Sequence, residues 1–178
     1  MAAFSPRNAS AEVLTFKEGL LSPIAHDLRI RVQRFDVEVE DGEVRGDFDL
    51  SSLVVVCARK DEEDEPGTLS DADKEKIRDT IQSEVLHTSR YPETHFEADL
   101  NDLVDGVLVG TLELHGEERE VRARVVEESA GVRVSVEVYQ PDFGIKPYSA
   151  MFGTLRVRAD VVIEVLLKDT TLEALLES

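Results

Sequence analysis

The sequence predicts a mainly β protein, an eight-stranded antiparallel β-barrel with one helix after about the fifth strand. Apolar and polar residues alternate with a period of two along most of the 178-residue chain, which is typical of strands with one buried face. Short turns join nearly all of these strands, and no strand–helix–strand alternation indicates a parallel sheet. A sheet of this length should close on itself or fold into two layers, because open edges invite aggregation.

The first strands follow a loose N-terminal start. Glu12–Lys17 is predicted to be a strand, and Pro23 interrupts the chain after it because proline supplies no ladder donor. His26–Val32 is the next strand, with apolar and charged residues in strict alternation. The same pattern continues at Phe35, Val37 and Val39.

Asp41-Gly42 is a strong turn signal before the next strand. The inward row of that strand is Val44, Gly46, Phe48 and Leu50. A denser apolar run, Leu53–Cys57, ends in the single cysteine of the chain. No intramolecular disulfide can form, and Cys57 is interpreted as a small buried hydrophobe rather than a reactive thiol.

Arg59–Leu69 is charged, contains Pro-Gly and is predicted to be a solvated loop. An acidic metal site is disfavoured there, because consecutive carboxylates lack the spaced pattern of a calcium loop. The one convincing helix covers about residues 71–86, and Ser70 with Asp73 resembles a capping box at its start. Its apolar stripe is predicted to seal one end of the barrel rather than to bind a partner helix. That stripe is Ile77, Ile81 and Val85.

The remaining strands complete the predicted barrel. Thr94–Leu100 is followed by a hairpin between Val107 and Glu127, which turns at His115-Gly116, and by the strand Val132–Tyr139. An irregular stretch then leads to a long last strand, Thr154–Lys168. The prediction is one domain over residues 1–178, with the barrel at about 12–168 and a short tail at 169–178 that can add one helical turn.

Charge and hydropathy limit the partners. The net charge of −18 comes from 38 acidic and 20 basic residues, and such a surface repels phosphate backbones and anionic headgroups. We therefore expect no nucleic-acid partner. No apolar run approaches the roughly 20 residues of a spanning helix, so we expect no stable membrane insertion. The N-terminal residues do not form a signal peptide, which favours the cytoplasm.

Motifs for catalysis and metal binding are missing from the sequence. The four histidines (26, 87, 95 and 115) match no compact ligand spacing, and His115 is interpreted as a turn residue beside Gly116. There is no G-x-S-x-G element and no phosphate-binding glycine loop. We predict no catalytic residues, no metal, no cofactor and no enzymatic activity.

The pattern leaves open whether the interior is filled. Small inward residues such as Gly46, Ala98, Ala123 and Ala159, together with the lack of tryptophan, favour a cavity. The close packing of native interiors favours a dry core of valine and leucine. An eight-stranded barrel has room for its own side chains or for one small ligand.

Several landmarks, in order along about residues 12–167, resemble the YceI-like family. They are His26 before Leu28, Pro92-x-x-x-Phe96, the hairpin motif Gly110-x-Leu112-x-Leu114-His115-Gly116-x-x-Arg119-x-Val121, and Asp142-Phe143-Gly144-Ile145. The chain departs from the family at Gln140, where the family has arginine, and at Glu118-Arg119-Glu120, where it has Thr-Arg-Pro.

The resemblance implies an extended, lipocalin-like barrel with a helix across one end. Its apolar bore would bind or carry an amphipathic lipid, a polyisoprenoid or an isoprenoid quinone, without catalysis. The predicted lining residues are Leu28, Ile30, Val32, Phe48, Phe96, Leu112, Val134 and Val157. A register slip of one residue would turn all of these side chains outward.

Asp142–Gly153 is the predicted portal, because it combines mobile apolar side chains with glycine and proline. Such a segment can also simply cap a core. Lys146 is a candidate partner for an anionic headgroup, and His26 could bind the polar end of a ligand at the mouth. The predicted portal or headgroup residues are His26, Phe143, Lys146, Tyr148, Met151 and Phe152.

Two alternatives to a lipid carrier remain at this point. The first is a ligand-free stress-response or protein-interaction module that uses its acidic surface to bind a basic partner. The second is an enzyme acting on a lipid in the bore, which would need a polar cluster with perturbed ionisation. A homodimer is compatible with each of these hypotheses.

Overall fold

The computed structural model describes residues 1–18, 26–153 and 155–178 of the chain. The fold is mainly β, as predicted. Its strands are β1 (Ala2–Phe4), β2 (Ala9–Thr15), β3 (Asp27–Val32), β4 (Phe35–Glu40), β5 (Glu43–Asp49), β6 (Leu53–Lys60), β7 (Glu63–Glu65), β8 (Glu93–Asp99), β9 (Val107–Leu114), β10 (Glu117–Glu128), β11 (Gly131–Tyr139), β12 (Ser149–Ala150), β13 (Leu155–Arg156) and β14 (Asp160–Lys168). Its helices are α1 (Asp71–Thr80), which continues as one π-helical segment (Ile81–Val85), and α2 (Leu172–Leu176).

Twelve strands form one antiparallel sheet. Their order is β1-β4-β5-β8-β9-β10-β11-β14-β2-β3-β6-β7, and β12 and β13 pair separately. The prediction of about eight strands in a closed barrel differs from this order, which has twelve members and ends at β1 and β7.

Part of the difference arises where the chain bends inside a predicted strand. The apolar row passes from even-numbered residues in β3, ending at Val32, to odd-numbered residues in β4, beginning at Phe35. Between them the backbone N–H groups of Gln33 and Arg34 donate to Ser52 Oγ at 3.1 and 2.9 Å. A 3₁₀ turn at Leu50–Ser52, capped by Asp49, separates β5 from β6 in the same way. Each bend coincides with a change of phase in the apolar row, from Val32 to Phe35 and from Leu50 to Leu53. The sequence prediction read the first change as continued alternation.

The other additional strands lie in segments predicted to be irregular. β1 occupies the loose start, and β2 begins at Ala9, earlier than the predicted Glu12. β7 pairs with β6 inside the predicted acidic loop, and β12 lies in the predicted irregular stretch, where it pairs with β13. The predicted strand Thr154–Lys168 is divided into β13 and β14, and Thr154 itself lies outside the described residues, as does Pro23.

Helix α1 begins with a capping box. Ser70 Oγ accepts a hydrogen bond from the Asp73 N–H, and the Asp73 carboxylate accepts one from the Ser70 N–H, both at 3.1 Å. The helical segment ends at Val85, close to the predicted limit of residue 86. It packs on β6, and its apolar stripe lies against the core.

The C-terminal tail forms α2, whose Leu175 is only 2% exposed. The Leu172 N–H donates to the Glu127 carboxylate at 2.8 Å, and the Asp41 N–H donates to the Ser178 carbonyl at 2.9 Å. These bonds hold the tail at the end of the sheet that carries the β4–β5 turn. Among the described residues, no helix has the length and apolar character needed to cross a membrane.

Candidate functional site

An apolar cavity of about 160 Å³ lies on the inner face of the sheet. Nine strands contribute side chains to it: β2, β3, β4, β5, β6, β8, β9, β11 and β14. Leu50 from the turn between β5 and β6, Leu86 just after the α1 segment, and Gln140 and Ile145 from the stretch after β11 complete the lining. Leu86 directly follows Val85, the last residue of the predicted helix stripe, but the stripe residues themselves are not among the residues that line this cavity.

The cavity extends along the strands. Val161 and Leu167 both line it and lie six residues apart on β14, a distance of about 20 Å in an extended chain. Val13, Val134 and Ile163 are only partly buried although they lie mid-sheet, because they border this space. The interior is therefore not filled throughout by valine and leucine. Engineered apolar cavities of roughly 150 Å³ stay dry and bind benzene.

Three of the described lining residues are polar, namely Glu12, Thr94 and Gln140. The Gln140 side-chain amide donates to the Arg158 carbonyl at 3.0 Å, and the Thr94 hydroxyl donates to the Glu113 carbonyl. Both groups are used to hold the ends of neighbouring strands.

The carboxylate of Glu12 is bound on the outer side of the sheet. Arg31 Nη2 lies 2.7 Å from one of its oxygens and Arg29 contacts the other. Arg29 also binds Asp64 at 3.0 Å. Charge-assisted bonds of this kind satisfy the carboxylate, so the cavity wall presents no unpaired charge at this position.

Comparison with known proteins identifies the family of the chain. Residues 22–168 match the YceI-like domain. The chain belongs to the YceI-like family. The resemblance that the ordered sequence landmarks indicate is thereby confirmed. No curated protein sequence matches the chain.

Two solved structures share this YceI-like fold. BcnA from Burkholderia cenocepacia matches with a TM-score of 0.59 at 12% identity, over 90% of this chain and 95% of that one. A polyisoprenoid-binding domain from Saccharophagus degradans, implicated in plant cell wall breakdown, matches with a TM-score of 0.53 at 11% identity, over 92% and 94% of the two chains. At such low identity the likeness establishes the shared fold alone.

Five of the eight predicted lining residues border the cavity of this YceI-like chain. They are Val32, Phe48, Phe96, Leu112 and Val134. Leu28 and Ile30 are buried in the core but do not border the cavity, although Val32 on the same strand does. Val157 is partly buried outside β14, at a single bridge to Lys17.

Sequence reasoning did not select other residues of the same inward rows, such as Val44, Val136, Ile163 and Val165, which also line the cavity. Alternation identifies the row to which a residue belongs. Which members of a row border a cavity depends on what packs opposite them, and no local pattern encodes that.

The predicted portal residues differ in their exposure to solvent. Phe143 is 3% exposed, whereas Phe152 is fully exposed and has a left-handed backbone with φ of 56°. Lys146 is exposed, and Tyr148 and His26 are partly buried. The side chain of Met151 lies outside the described part of the structure.

A histidine pair connects three segments near one end of the cavity. His115 Nδ1 lies 3.2 Å from the Phe143 carbonyl oxygen, and His115 Nε2 lies 3.2 Å from His87 Nδ1. The Tyr91 ring packs on His115 with centroids 4.3 Å apart. Burial lowers the pKa of His115, which favours a neutral ring that donates to the carbonyl and accepts from His87. No sequence pattern indicated this pair, because the two residues are 28 positions apart.

Metal and thiol chemistry find little support in this geometry. Within the described ranges, no three histidine, cysteine or carboxylate side chains are grouped so that they could hold a metal ion. Cys57 is 2% exposed, and burial raises the pKa of its thiol. It has the environment of a small buried hydrophobe.

Proposed function

We propose that this protein binds one amphipathic lipid with a long apolar chain, such as a polyisoprenoid or isoprenoid quinone, and carries it without chemical change. The observation that carries the proposal is the apolar cavity that runs along the strands. Membership of the YceI-like family and the shared fold of a polyisoprenoid-binding domain support it.

The energy available from apolar burial is sufficient. Each buried methylene contributes about 0.8 kcal/mol, so about fifteen carbons supply about 12 kcal/mol. An association cost of about 4 kcal/mol would leave a Kd near 1 μM. Specificity must come mainly from the shape of the cavity, because apolar burial has no preferred direction.

The cavity has to gain volume at its end, rather than width, for such a ligand. Its volume of about 160 Å³ is below the roughly 300–1,000 Å³ of sites for drug-sized molecules. Leu86 and Ile145 at its end can move aside to enlarge it, because both lie on segments outside the sheet ladder. The proposal therefore includes displacement of these side chains as the chain enters.

Strand pairing supports an eight-stranded barrel around this ligand. β3 and β4 are joined by two residues. On one side, β2 pairs with β3 and β1 pairs with β4. On the other side, β6 pairs with β3 and β5 pairs with β4. If β1–β2, β3–β4 and β5–β6 are each counted as one bent strand, these three strands and β8, β9, β10, β11 and β14 make eight. The pairings of β14 with β2 and of β5 with β8 then close the barrel. An experimental structure without those two pairings would contradict the barrel.

The entrance is proposed at the end where Asp142–Gly153 lies, since Gln140 just before this segment and Ile145 within it both line the cavity. Phe152 would contact the apolar chain as it enters, and Lys146 would bind an anionic headgroup. Phe143, Tyr148 and His26 complete the proposed mouth, as does Met151, on the sequence pattern alone.

Extraction of the purified protein with organic solvent, followed by mass spectrometry, tests carriage directly. We expect one lipid molecule per chain. An extract that contains no lipid, together with no binding when the lipid-free protein is titrated with geranylgeraniol, would contradict carriage and favour the ligand-free interaction module.

A matched pair of variants on β11 locates the site. Val134→Trp places a large ring in the cavity, whereas Glu137→Trp adds the same ring on the exposed outer face of the same strand. We expect Val134→Trp to abolish lipid uptake and Glu137→Trp to retain it, with circular dichroism confirming that both variants fold. Equal uptake by the two variants would place the ligand outside the cavity.

A further inference from the structure

We infer, on the basis of the proposed function, that two glycines under two phenylalanine rings keep the cavity just wide enough for a single flexible chain and too narrow for a fused-ring lipid. The pairs are Gly46 with Phe48 and Gly110 with Phe96. All of these residues except Gly110 line the cavity.

The rings occupy the space that side chains at the two glycines would fill. A Cβ at Gly46 would lie 2.8 Å from Cε2 of Phe48 and 3.2 Å from its Cζ. A Cβ at Gly110 would lie 2.6 Å from Cζ of Phe96. Optimal carbon–carbon contacts are about 3.5–4.0 Å, so an added methyl group would displace each ring.

Displacement of a ring would narrow the cavity. Side chains on a strand usually stand roughly perpendicular to the sheet. Phe48 and Phe96 instead lean over glycines in the same sheet, and an upright ring at either position would extend into the cavity. Glycine weakens the interior of a strand, so two inward glycines beneath two rings point to a requirement for space.

The strand β14, which lies across the cavity from β8, limits the remaining space to the width of one isoprenoid or alkyl chain. In the sheet order, β8 is four strands from β14, whose Val161, Ile163 and Val165 line the cavity. The volume between these walls is about 160 Å³, and it extends over about 20 Å of strand. A long, narrow space of this kind admits an isoprenoid or alkyl chain and excludes the rigid rings of a sterol.

Gly46 offers the cleaner test of the two glycines. The three heavy atoms nearest to its added methyl group all belong to side chains, two of Phe48 and, at 3.7 Å, one of Val37. At Gly110 the methyl group would also lie 2.7 Å from the Glu97 carbonyl oxygen and would disturb the β8–β9 ladder. Neither glycine has a positive φ, so alanine brings no left-handed backbone strain.

The experiment measures binding of geranylgeraniol and cholesterol to lipid-free protein and variants. Gly46→Ala should weaken geranylgeraniol binding about tenfold, within the range expected for residues in contact. Phe48→Leu removes the ring atoms that the methyl group would meet, and the double variant should regain geranylgeraniol binding to within about twofold of wild type. Phe48→Leu alone should bind cholesterol measurably, whereas wild type should not. Gly67→Ala is the control, since nothing lies within 4 Å of its added Cβ.

The outcomes separate this inference from the proposed function. If wild type binds neither lipid, the proposed function fails. If wild type binds geranylgeraniol but binds cholesterol equally well, or if Gly46→Ala behaves like Gly67→Ala, the width inference is wrong and carriage stands. Loss of binding in the double variant as well as in Gly46→Ala, with both folded by circular dichroism, would also overturn it.

Discussion

At the scale of single residues, His115 makes stability depend on pH. Burial lowers its pKa from the ordinary value of 6.5, so the unfolded state takes up a proton at a higher pH than the folded state. The contribution of His115 is therefore complete above about pH 6.5 and is lost as the pH falls through the folded-state pKa.

We expect the free energy of unfolding to fall between about pH 7 and pH 5, and to fall less in His115→Asn, which does not titrate there. Asparagine tolerates the left-handed backbone at this position, where φ is 56°. Urea denaturation of both proteins at the two pH values measures the difference, with His95→Asn as a second histidine variant. An unchanged pH dependence in His115→Asn would remove His115 as its cause.

Ser52 is a second residue whose side chain is expected to contribute to the free energy of unfolding. Its hydroxyl oxygen accepts from Gln33 and Arg34 at the bend between β3 and β4, and the residue is 4% exposed. Ser52→Ala leaves these backbone donors without that partner, so we expect a loss of about 2 kcal/mol in unfolding free energy. The exposed Ser51→Ala should cost less than about 1 kcal/mol. Urea denaturation compares the two, and equal losses would contradict the role of this bend.

At the scale of elements, local signals predicted what local interactions determine. The capping residues Ser70 and Asp73 indicated the start of α1, and the turn at His115-Gly116 indicated the β9–β10 hairpin, because these contacts join residues close in sequence. The change of phase from Val32 to Phe35 marks an interruption at Gln33-Arg34, but the geometry of the bend depends on Ser52, nearly twenty positions away, and was not predicted. Acidic composition likewise concealed β7, whose pairing with β6 is a tertiary contact.

The tail element α2 gives a prediction at this scale. Leu175 is 2% exposed and Leu176 is 48% exposed, so one chain segment offers a buried and an exposed leucine. Leu175→Ala should lower the unfolding free energy by about 2–3 kcal/mol, through lost burial and the cavity left behind. Leu176→Ala should change it by less than about 0.5 kcal/mol. Thermal and urea unfolding of the pair tests whether α2 is an integral end of the fold, and two small effects would show that it is not.

At the scale of the whole molecule, the cavity is a property of packing between distant rows. The inward rows of β9 and β11 were predictable from alternation, and Leu112 and Val134 lie where expected. Leu28 and Ile30 belong to a correct inward row and are buried in the core, yet they do not border the cavity, whereas Val32 of the same row does. The leaning of Phe48 and Phe96 depends on glycines, one of them on a neighbouring strand, so the width of the space could not follow from any single strand.

The same packing argument predicts a large response to ligand. A chain that fills the cavity binds the folded state alone, so about 100 Kd of free geranylgeraniol should add about 2.7 kcal/mol of stability. For a domain of this size each kcal/mol raises Tm by about 2–4 °C, which gives a shift of about 5–10 °C. Differential scanning calorimetry of the lipid-free protein measures the shift, and Val134→Trp should show none while Glu137→Trp shows all of it. A saturating ligand that leaves Tm unchanged in wild type would mean that binding does not favour the folded state, which is incompatible with burial of the chain inside the sheet.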